Sequence, residues 1–139
     1  MAAVAKCANV GYDALSAQTC VKISELFAGE KFGLLSPVYI ADSDGLVYMA
    51  TDDPTNELNF DGFASRAIDS DMIGSPVTIL SHGVIMEWLE DSDNVSPGTL
   101  LYVGAANALE TTGTTAVAMS VNSKEIICIA GPGVRAAVA

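Results

Sequence analysis

Three Asp-Ser-Asp triplets in this chain come close to a metal-binding pattern. They are Asp42/Asp44, Asp69/Asp71 and Asp91/Asp93, and paired carboxylates supply the hard oxygen ligands that calcium prefers. An EF-hand loop also needs a Glu at its twelfth position, which is Tyr102 counted from Asp91 and Asp53 counted from Asp42. Asp and Ser are equally the residues that form turns and protect strands from aggregation. We interpret the triplets as turns and predict no metal site.

The polar residues that could catalyse a reaction lack the partners that catalysis requires. His82 is the single histidine, and its neighbour Ser81 is adjacent in the chain, which prevents a nucleophile–base geometry. Glu87 and Glu90 flank Trp88 and suggest the paired carboxylates of a glycosidase. Residues three apart on a strand face opposite sides, however. We interpret these residues as a turn and a solvated surface, and we predict that the protein is not an enzyme.

Neither the cysteines nor the glycines form a pattern that binds a cofactor. Cys7, Cys20 and Cys128 are odd in number, contain no C-x-x-C pair and have no histidine nearby, so they predict neither a disulfide framework nor a zinc site. Gly131-Pro132-Gly133 lacks the Lys and the Ser/Thr of a phosphate-binding loop. We predict no cofactor. Free thiols are typical of a reducing compartment, and we expect the chain to be made in the cytoplasm.

Short apolar runs separated by turn residues dominate the middle of the chain. They are too short for helices and rich in β-branched or aromatic residues, and they cover residues 38–40, 46–49, 77–80, 84–86, 100–103 and 126–129. Asp42-Ser43-Asp44-Gly45 predicts a hairpin turn, and Ser81-His82-Gly83 predicts a second one. The pattern predicts an all-β fold of about ten short strands, either a compact β-sandwich or a small barrel.

The two ends of the chain differ from this pattern. Residues 1–18 are Ala-rich with little periodicity and predict an irregular N-terminal arm, residues 19–130 form the β-domain, and residues 131–139 form a short C-terminal tail that is apolar enough to dock. The N-terminus lacks the charged start and long apolar core of a signal peptide. No run approaches the ~20 apolar residues that cross a bilayer. We expect no membrane partner.

Charge and hydropathy restrict the partners of this chain. The net charge is −11, with 17 acidic and 6 basic residues, so the surface repels phosphate backbones and we expect no nucleic acid partner. Half of the residues are apolar, which suggests that another chain covers part of the surface. The candidates for that interface are strand aromatics and tail residues: Tyr39, Tyr48, Trp88, Tyr102, Val134 and Arg135. Strand aromatics are usually core or interface anchors, although Trp88 and the tyrosines could also form a sugar-binding platform.

Three groups of motifs occur in a fixed order between residues 19 and 130. The first is Phe27-Ala28-Gly29-Glu30 with residues 37–40 and 44–48; the second is Phe60-Asp61-Gly62-Phe63-Ala64 with residues 83–85 and 97–104; the third is residues 116–120 with 126–129. Together they resemble the small capsid decoration, or cement, proteins of tailed bacteriophages. The sharpest element of the resemblance is Pro-Gly-x-x-Leu-Tyr-Val-Gly at residues 97–104.

The resemblance implies a compact β-rich body on the exterior of a phage capsid, assembled in the host cytoplasm. It also implies a homotrimer that clamps neighbouring subunits of the major capsid protein. The family has no catalytic residues, so the resemblance assigns none to this chain. A clamp works by burying surface across a seam between subunits. We therefore expect a structural virion protein whose partners are the major capsid protein and further copies of itself. The alternative is a carbohydrate-binding β-module of a phage fibre or adhesin.

Overall fold

The computed structural model describes residues 3–51, 58–90, 95–105 and 107–136. Strands make up 48% of the described residues and helices 7%, so the predicted all-β class is confirmed. The strands are β1 (Ala3–Val4), β2 (Lys6–Tyr12), β3 (Lys22–Phe27), β4 (Pro37–Ile40), β5 (Val47–Met49), β6 (Leu58–Phe60), β7 (Gly62–Ala64), β8 (Pro76–Leu80), β9 (Ile85–Leu89), β10 (Leu100–Val103), β11 (Leu109–Glu110), β12 (Ala116–Ser120), β13 (Glu125–Cys128) and β14 (Val134–Ala136). An α-helix, α1 (Ala14–Thr19), follows β2, and a 3-10 turn (Ser70–Met72) precedes β8.

The strands form two larger sheets and one small pair. The seven-stranded sheet has the order β1-β11-β10-β12-β13-β9-β2, the five-stranded sheet has the order β3-β8-β7-β4-β5, and β14 pairs with β6. Over the described ranges neither larger sheet closes on itself, because each ends in two different edge strands. The fold is therefore sandwich-like rather than a barrel.

The main core lies between the two larger sheets. Leu101 and Ile126 of the seven-stranded sheet and Phe63 and Leu80 of the five-stranded sheet belong to one buried cluster. On β10, β12 and β13 buried residues alternate with more exposed ones, as expected for strands with one buried face. The inner face of the seven-stranded sheet is thus buried, while its other face, here called the outer face, points away from the core.

The central strands of the five-stranded sheet are buried on both faces, whereas its edge strand β3 is largely exposed. Val38, Ala64 and Ile79 point away from the main core and form a second buried cluster with Phe32 and Ile68. The backbones of Phe32 and Ile68 form a β-bridge, which holds the covering segment against the sheet. The protein therefore has a seven-stranded sheet, a five-stranded sheet and a loop cover, and among the described residues the outer face of the seven-stranded sheet has no comparable cover.

The first predicted hairpin is confirmed. β4 and β5 pair antiparallel, with Tyr39 opposite Tyr48. Gly45 has φ of 74°, which few residues other than glycine adopt without strain. The Asp44 carboxylate accepts a hydrogen bond from the Leu46 amide at 2.9 Å. The first Asp-Ser-Asp triplet is accordingly a turn, as interpreted from the sequence.

The prediction of a second hairpin across Ser81-His82-Gly83 was wrong. β8 pairs with β3 and β7, whereas β9 pairs with β13 and β2, so the turn carries the chain from one sheet to the other. The Val21 amide donates to the His82 carbonyl oxygen at 3.0 Å, and the Gly83 amide donates to the Cys128 carbonyl oxygen at 2.9 Å. Val21 directly precedes β3 of the five-stranded sheet, whereas Cys128 ends β13 of the seven-stranded sheet, so the local sequence does not reveal these partners.

The N-terminal segment is also more regular than its composition predicts. β1 pairs with β11 and β2 pairs with β9, so the described part of residues 1–18 is not an irregular arm. Asp13 caps α1 by accepting from the Ser16 amide at 2.9 Å, and the Ser16 hydroxyl accepts from the Ile85 amide at 2.9 Å. The strands arise from pairing with distant partners, and an Ala-rich segment carries little alternation that would reveal it.

The C-terminal tail docks, as predicted, over the part that is described. In β14 Val134 lies opposite Phe60, and Arg135 lies opposite Asn59. Within the described ranges, no helix has the length and apolar character that a membrane span requires.

Candidate functional site

The six predicted contact residues do not converge on one place. They occupy the core (Trp88), the β4–β5 hairpin (Tyr39, Tyr48), the C-terminal strand (Val134, Arg135) and the seven-stranded sheet (Tyr102). Trp88 is only 1% exposed, and its indole nitrogen donates to the Leu35 carbonyl oxygen at 2.9 Å. Trp88 was selected as a contact candidate, but its burial makes it a core residue, and in the folded chain its side chain is not available to an external partner.

Lys6 covers the Trp88 ring from the side of β2. Its Nζ lies 5.7 Å from the ring centroid, a distance at which an ammonium group is attracted to the face of an aromatic ring. Burial lowers the pKa of Lys6 below its ordinary value, because a low-dielectric environment disfavours the charged form. The contact ties the N-terminal strand to the core.

Tyr39 and Tyr48 form a tilted pair rather than a flat platform. Their ring centroids are 6.2 Å apart and the ring planes are inclined by 36°. The Tyr48 hydroxyl donates to the Asp44 carboxylate at 2.6 Å, and this hydrogen bond lowers the pKa of Asp44 and raises the pKa of Tyr48. A Cβ at Gly29 would lie 2.5 Å from Tyr48 Cζ, so this glycine lets the ring lie against the backbone.

Asp61 organises the C-terminal tail, a role that was not predicted from the sequence. Its side chain is 3% exposed and forms a salt bridge with Arg135, whose side chain is 41% exposed. The two carboxylate oxygens accept from the Ile40 amide at 2.8 Å, the Gly133 amide at 2.7 Å and both terminal nitrogens of Arg135. An Asp inside the alternating apolar run of residues 58–64 was the available signal, because a buried carboxylate must be paired.

Arg135 also lines a polar pocket of about 380 Å³ with Tyr39, Ile40, Asp42 and Asn59. Arg135 is already neutralised by Asp61, and Asp42 adds a further negative charge. The pocket therefore offers no net positive site for an anion. The contribution of Arg135 is to hold β14 beside β4 and β6.

The outer face of the seven-stranded sheet carries an apolar row in register. Leu100, Met119, Ile127 and Ile85 are successive cross-strand partners on β10, β12, β13 and β9. Leu100 is 43% exposed, and the other three are partly exposed. Tyr102 is also partly exposed and lies two residues along β10 from Leu100, and so on the same face. We call the row of Leu100, Met119, Ile127 and Ile85 the outer-face row. Tyr102, one of the predicted contact residues, lies beside it.

Two glutamates lie directly opposite each other beside this row. Glu87 of β9 pairs with Glu125 of β13, and Glu125 accepts from the Asn122 side chain at 2.8 Å. Over the described ranges neither glutamate forms a salt bridge, since the pair found there is Arg135–Asp61. Like charges at directly opposite positions destabilise a sheet. Glu87 and Glu125 also line an open cleft of about 270 Å³ together with Asn9, Gly11, Tyr12 and Asp13.

The remaining residues considered for chemistry lie in turns or in the core. His82 is exposed in its turn, and Asp69 precedes the 3-10 turn that contains Asp71. The triplet at Asp91/Asp93 lies outside the described residues. In the described parts of the chain, no three His, Cys, Asp or Glu side chains cluster as a metal site would require. Burial raises the pKa of the Cys128 thiol to about 12.

No protein-family model matches the chain, and no curated protein has a significantly similar sequence.

Proposed function

We propose that this chain is a structural virion protein that binds the outer surface of a phage capsid as a trimer and cements neighbouring major capsid subunits. The observation that carries the proposal is the uncovered outer-face row, an apolar surface on a body with a net charge of −11. Such a surface is typical of a protein that works by contact with others. The capsid as the partner comes from the resemblance of the motifs in residues 19–130.

The motifs behind the resemblance have physical roles in the folded chain. In Phe27-Ala28-Gly29-Glu30, the Gly29 amide donates to the Val47 carbonyl oxygen at 2.8 Å and Glu30 accepts from the Met49 amide at 2.8 Å. These contacts occupy backbone groups on the free edge of β5, which would otherwise pair with another chain. In Phe60-Asp61-Gly62-Phe63-Ala64, Asp61 holds the tail. The first motif thus protects one sheet edge and the second anchors the tail. Both favour a rigid body, as a clamp requires.

The apolar part of the outer face, on β10, β12, β13 and β9, is smaller than a standard interface. A patch that is four strands wide, at about 4.8 Å per strand, and five residues long, at about 3.4 Å per residue, has an area of about 300 Å². A stable interface usually buries about 800 Å² on each partner. One copy should therefore bind a shell weakly, and linking three copies makes the later contacts intramolecular and lengthens the residence time.

The proposal is tested with shells of the corresponding phage prepared without this protein. Added protein should sediment with the shells and raise the temperature at which they disassemble, because a clamp that binds only the intact seam stabilises it by mass action. Heat-denatured protein at the same concentration is the control. Failure to sediment with the shells at micromolar concentration would end the proposal.

The carbohydrate-binding alternative has no structural observation in its favour. Its motivation was a platform of Trp88 with the tyrosines, but Trp88 is buried and the Tyr39–Tyr48 pair is tilted. Saturable binding of the labelled chain to a glycan array would support the alternative.

A further inference from the structure

We propose that the outer face of the seven-stranded sheet is the surface that docks on the capsid, and that its partner is a protein surface with an apolar ridge beside a lysine or arginine. The ridge would cover the outer-face row of Leu100, Met119, Ile127 and Ile85, and the cation would enter the cleft between Glu87 and Glu125. This inference rests on the proposed function and adds the surface and the chemistry of the partner.

The first argument is the contrast between the two sheets. The central strands of the five-stranded sheet are covered on their second face by the cluster that contains Phe32 and Ile68, although the edge strand β3 is not. The outer face of the seven-stranded sheet has no equivalent cover over the described residues, yet it carries apolar partners on four neighbouring strands. Antiparallel sheets that face water normally present polar residues on that side. An apolar row there indicates a surface that is covered in the working assembly.

The second argument is charge. Glu87 and Glu125 face each other without a cation of the chain in salt-bridge distance over the described ranges, and Asp13 lines the same cleft. A cation supplied by a partner would relieve the repulsion and pair with a desolvated carboxylate. A second copy docking face to face is a poor occupant, because it would bring Glu87 and Glu125 against the same two carboxylates.

The shape of the cleft leaves room for an incoming side chain. Gly11 lies at the cleft, and a Cβ built on it would have nothing within 4 Å. A larger residue at this position would occupy the cleft without striking the backbone. This allows a test that leaves both glutamates in place.

The experiment measures binding of the full chain to undecorated shells by sedimentation, with four variants. Glu87→Lys should weaken binding at least tenfold while the thermal midpoint of the free protein stays the same or rises, since the introduced ammonium group would pair with Glu125 across the strands. Gly11→Leu should weaken binding by filling the cleft, and Leu100→Thr by removing part of the apolar row. Asp71→Lys, an exposed position on the covering segment of the other sheet, is the control with the same charge change and should bind like the wild type.

The outcomes separate this inference from the proposed function. If the wild type does not bind shells, the proposed function fails and the inference fails with it. If the wild type binds and the outer-face variants bind equally well, the inference is overturned and the proposed function stands. A change in the oligomeric mass of free Glu87→Lys or Leu100→Thr protein would assign the face to self-association and would also overturn the inference. Wild-type binding should weaken as the salt concentration is raised from about 50 to about 500 mM, because screening then removes the attraction between exposed charges. Binding of the Glu87→Lys variant should depend less on the salt concentration.

Discussion

At the scale of single residues, Asp61 connects more of the protein than any neighbouring side chain. Its carboxylate satisfies the amides of Ile40 and Gly133 and pairs with Arg135. We expect Asp61→Ala to lower the free energy of unfolding by about 3 kcal/mol, because two amide donors in part-buried hydrogen bonds lose their acceptor and Arg135 loses its ion-pair partner. Arg135→Ala should cost less, about 1–2 kcal/mol, since water reaches the exposed side of the guanidinium.

Urea denaturation followed by tryptophan fluorescence measures both effects. Arg66→Ala is the matched control, because Arg66 is exposed and makes a single hydrogen bond of 3.3 Å to the Pro76 carbonyl oxygen. It should change the stability by less than about 0.5 kcal/mol. Equal losses for Asp61→Ala and Arg66→Ala would contradict the role given to Asp61.

Cys128 makes stability depend on alkaline pH. Burial raises the pKa of its thiol from 9.0 to about 12, so the folded state holds its proton more tightly than the unfolded state. The contribution is complete below pH 9 and is lost as the pH rises towards 12, at up to about 1.4 kcal/mol per pH unit. Unfolding free energies measured between pH 8 and 11 should therefore fall more steeply for the wild type than for Cys128→Ala. Parallel curves would contradict this prediction.

At the scale of elements, β7 lies unusually close to β8 at Gly62. Its φ is 154°, and a Cβ there would lie 2.5 Å from both Ile79 Cγ2 and the Leu80 carbonyl oxygen. Gly62→Ala should lower the unfolding free energy by about 2–3 kcal/mol, since neither neighbour can move without disturbing the sheet. Gly11→Ala adds the same methyl group in open space and should be neutral or slightly stabilising, as thermal or urea unfolding would show. Similar losses for the two variants would refute the close approach.

The N-terminal strands are part of the folded body rather than an appendage. β2 forms one edge of the seven-stranded sheet, and Val4 belongs to the main core cluster. Deletion of residues 1–17 should therefore abolish cooperative unfolding, because β9 loses its paired strand β2 and the main core loses Val4. Deletion of residues 1–5 removes β1 alone and should leave a folded protein of lower thermal midpoint. A cooperative transition in the longer deletion, followed by circular dichroism, would show that residues 1–17 act as an independent arm.

At the scale of the whole molecule, the proposed trimer should have a mass of about 43 kDa, three times the 14.3 kDa of the chain. Light scattering at micromolar concentration measures this directly. Three linked faces of about 300 Å² reach the area of a standard interface, which explains why trimerisation would matter for attachment. A mass of 14.3 kDa under these conditions would contradict the trimer and leave single weak contacts.

Local pattern was sufficient for several features of this protein. The alternation of β-branched and aromatic residues predicted the all-β class, and Asp44 with Gly45 predicted the first hairpin, because strand periodicity and turn chemistry depend on neighbours in the chain. These features require no knowledge of which strands meet.

Pairing between distant segments determined the rest. The turn at Ser81-His82-Gly83 looks like a hairpin locally but joins two sheets, and residues 3–12 become strands through β9 and β11. The opposed Glu87 and Glu125 and the apolar row beside them exist only once β9, β12 and β13 are aligned. Strand order is a non-local property, since it depends on which apolar faces can be buried together, and the candidate docking surface therefore emerges only when the sheets assemble.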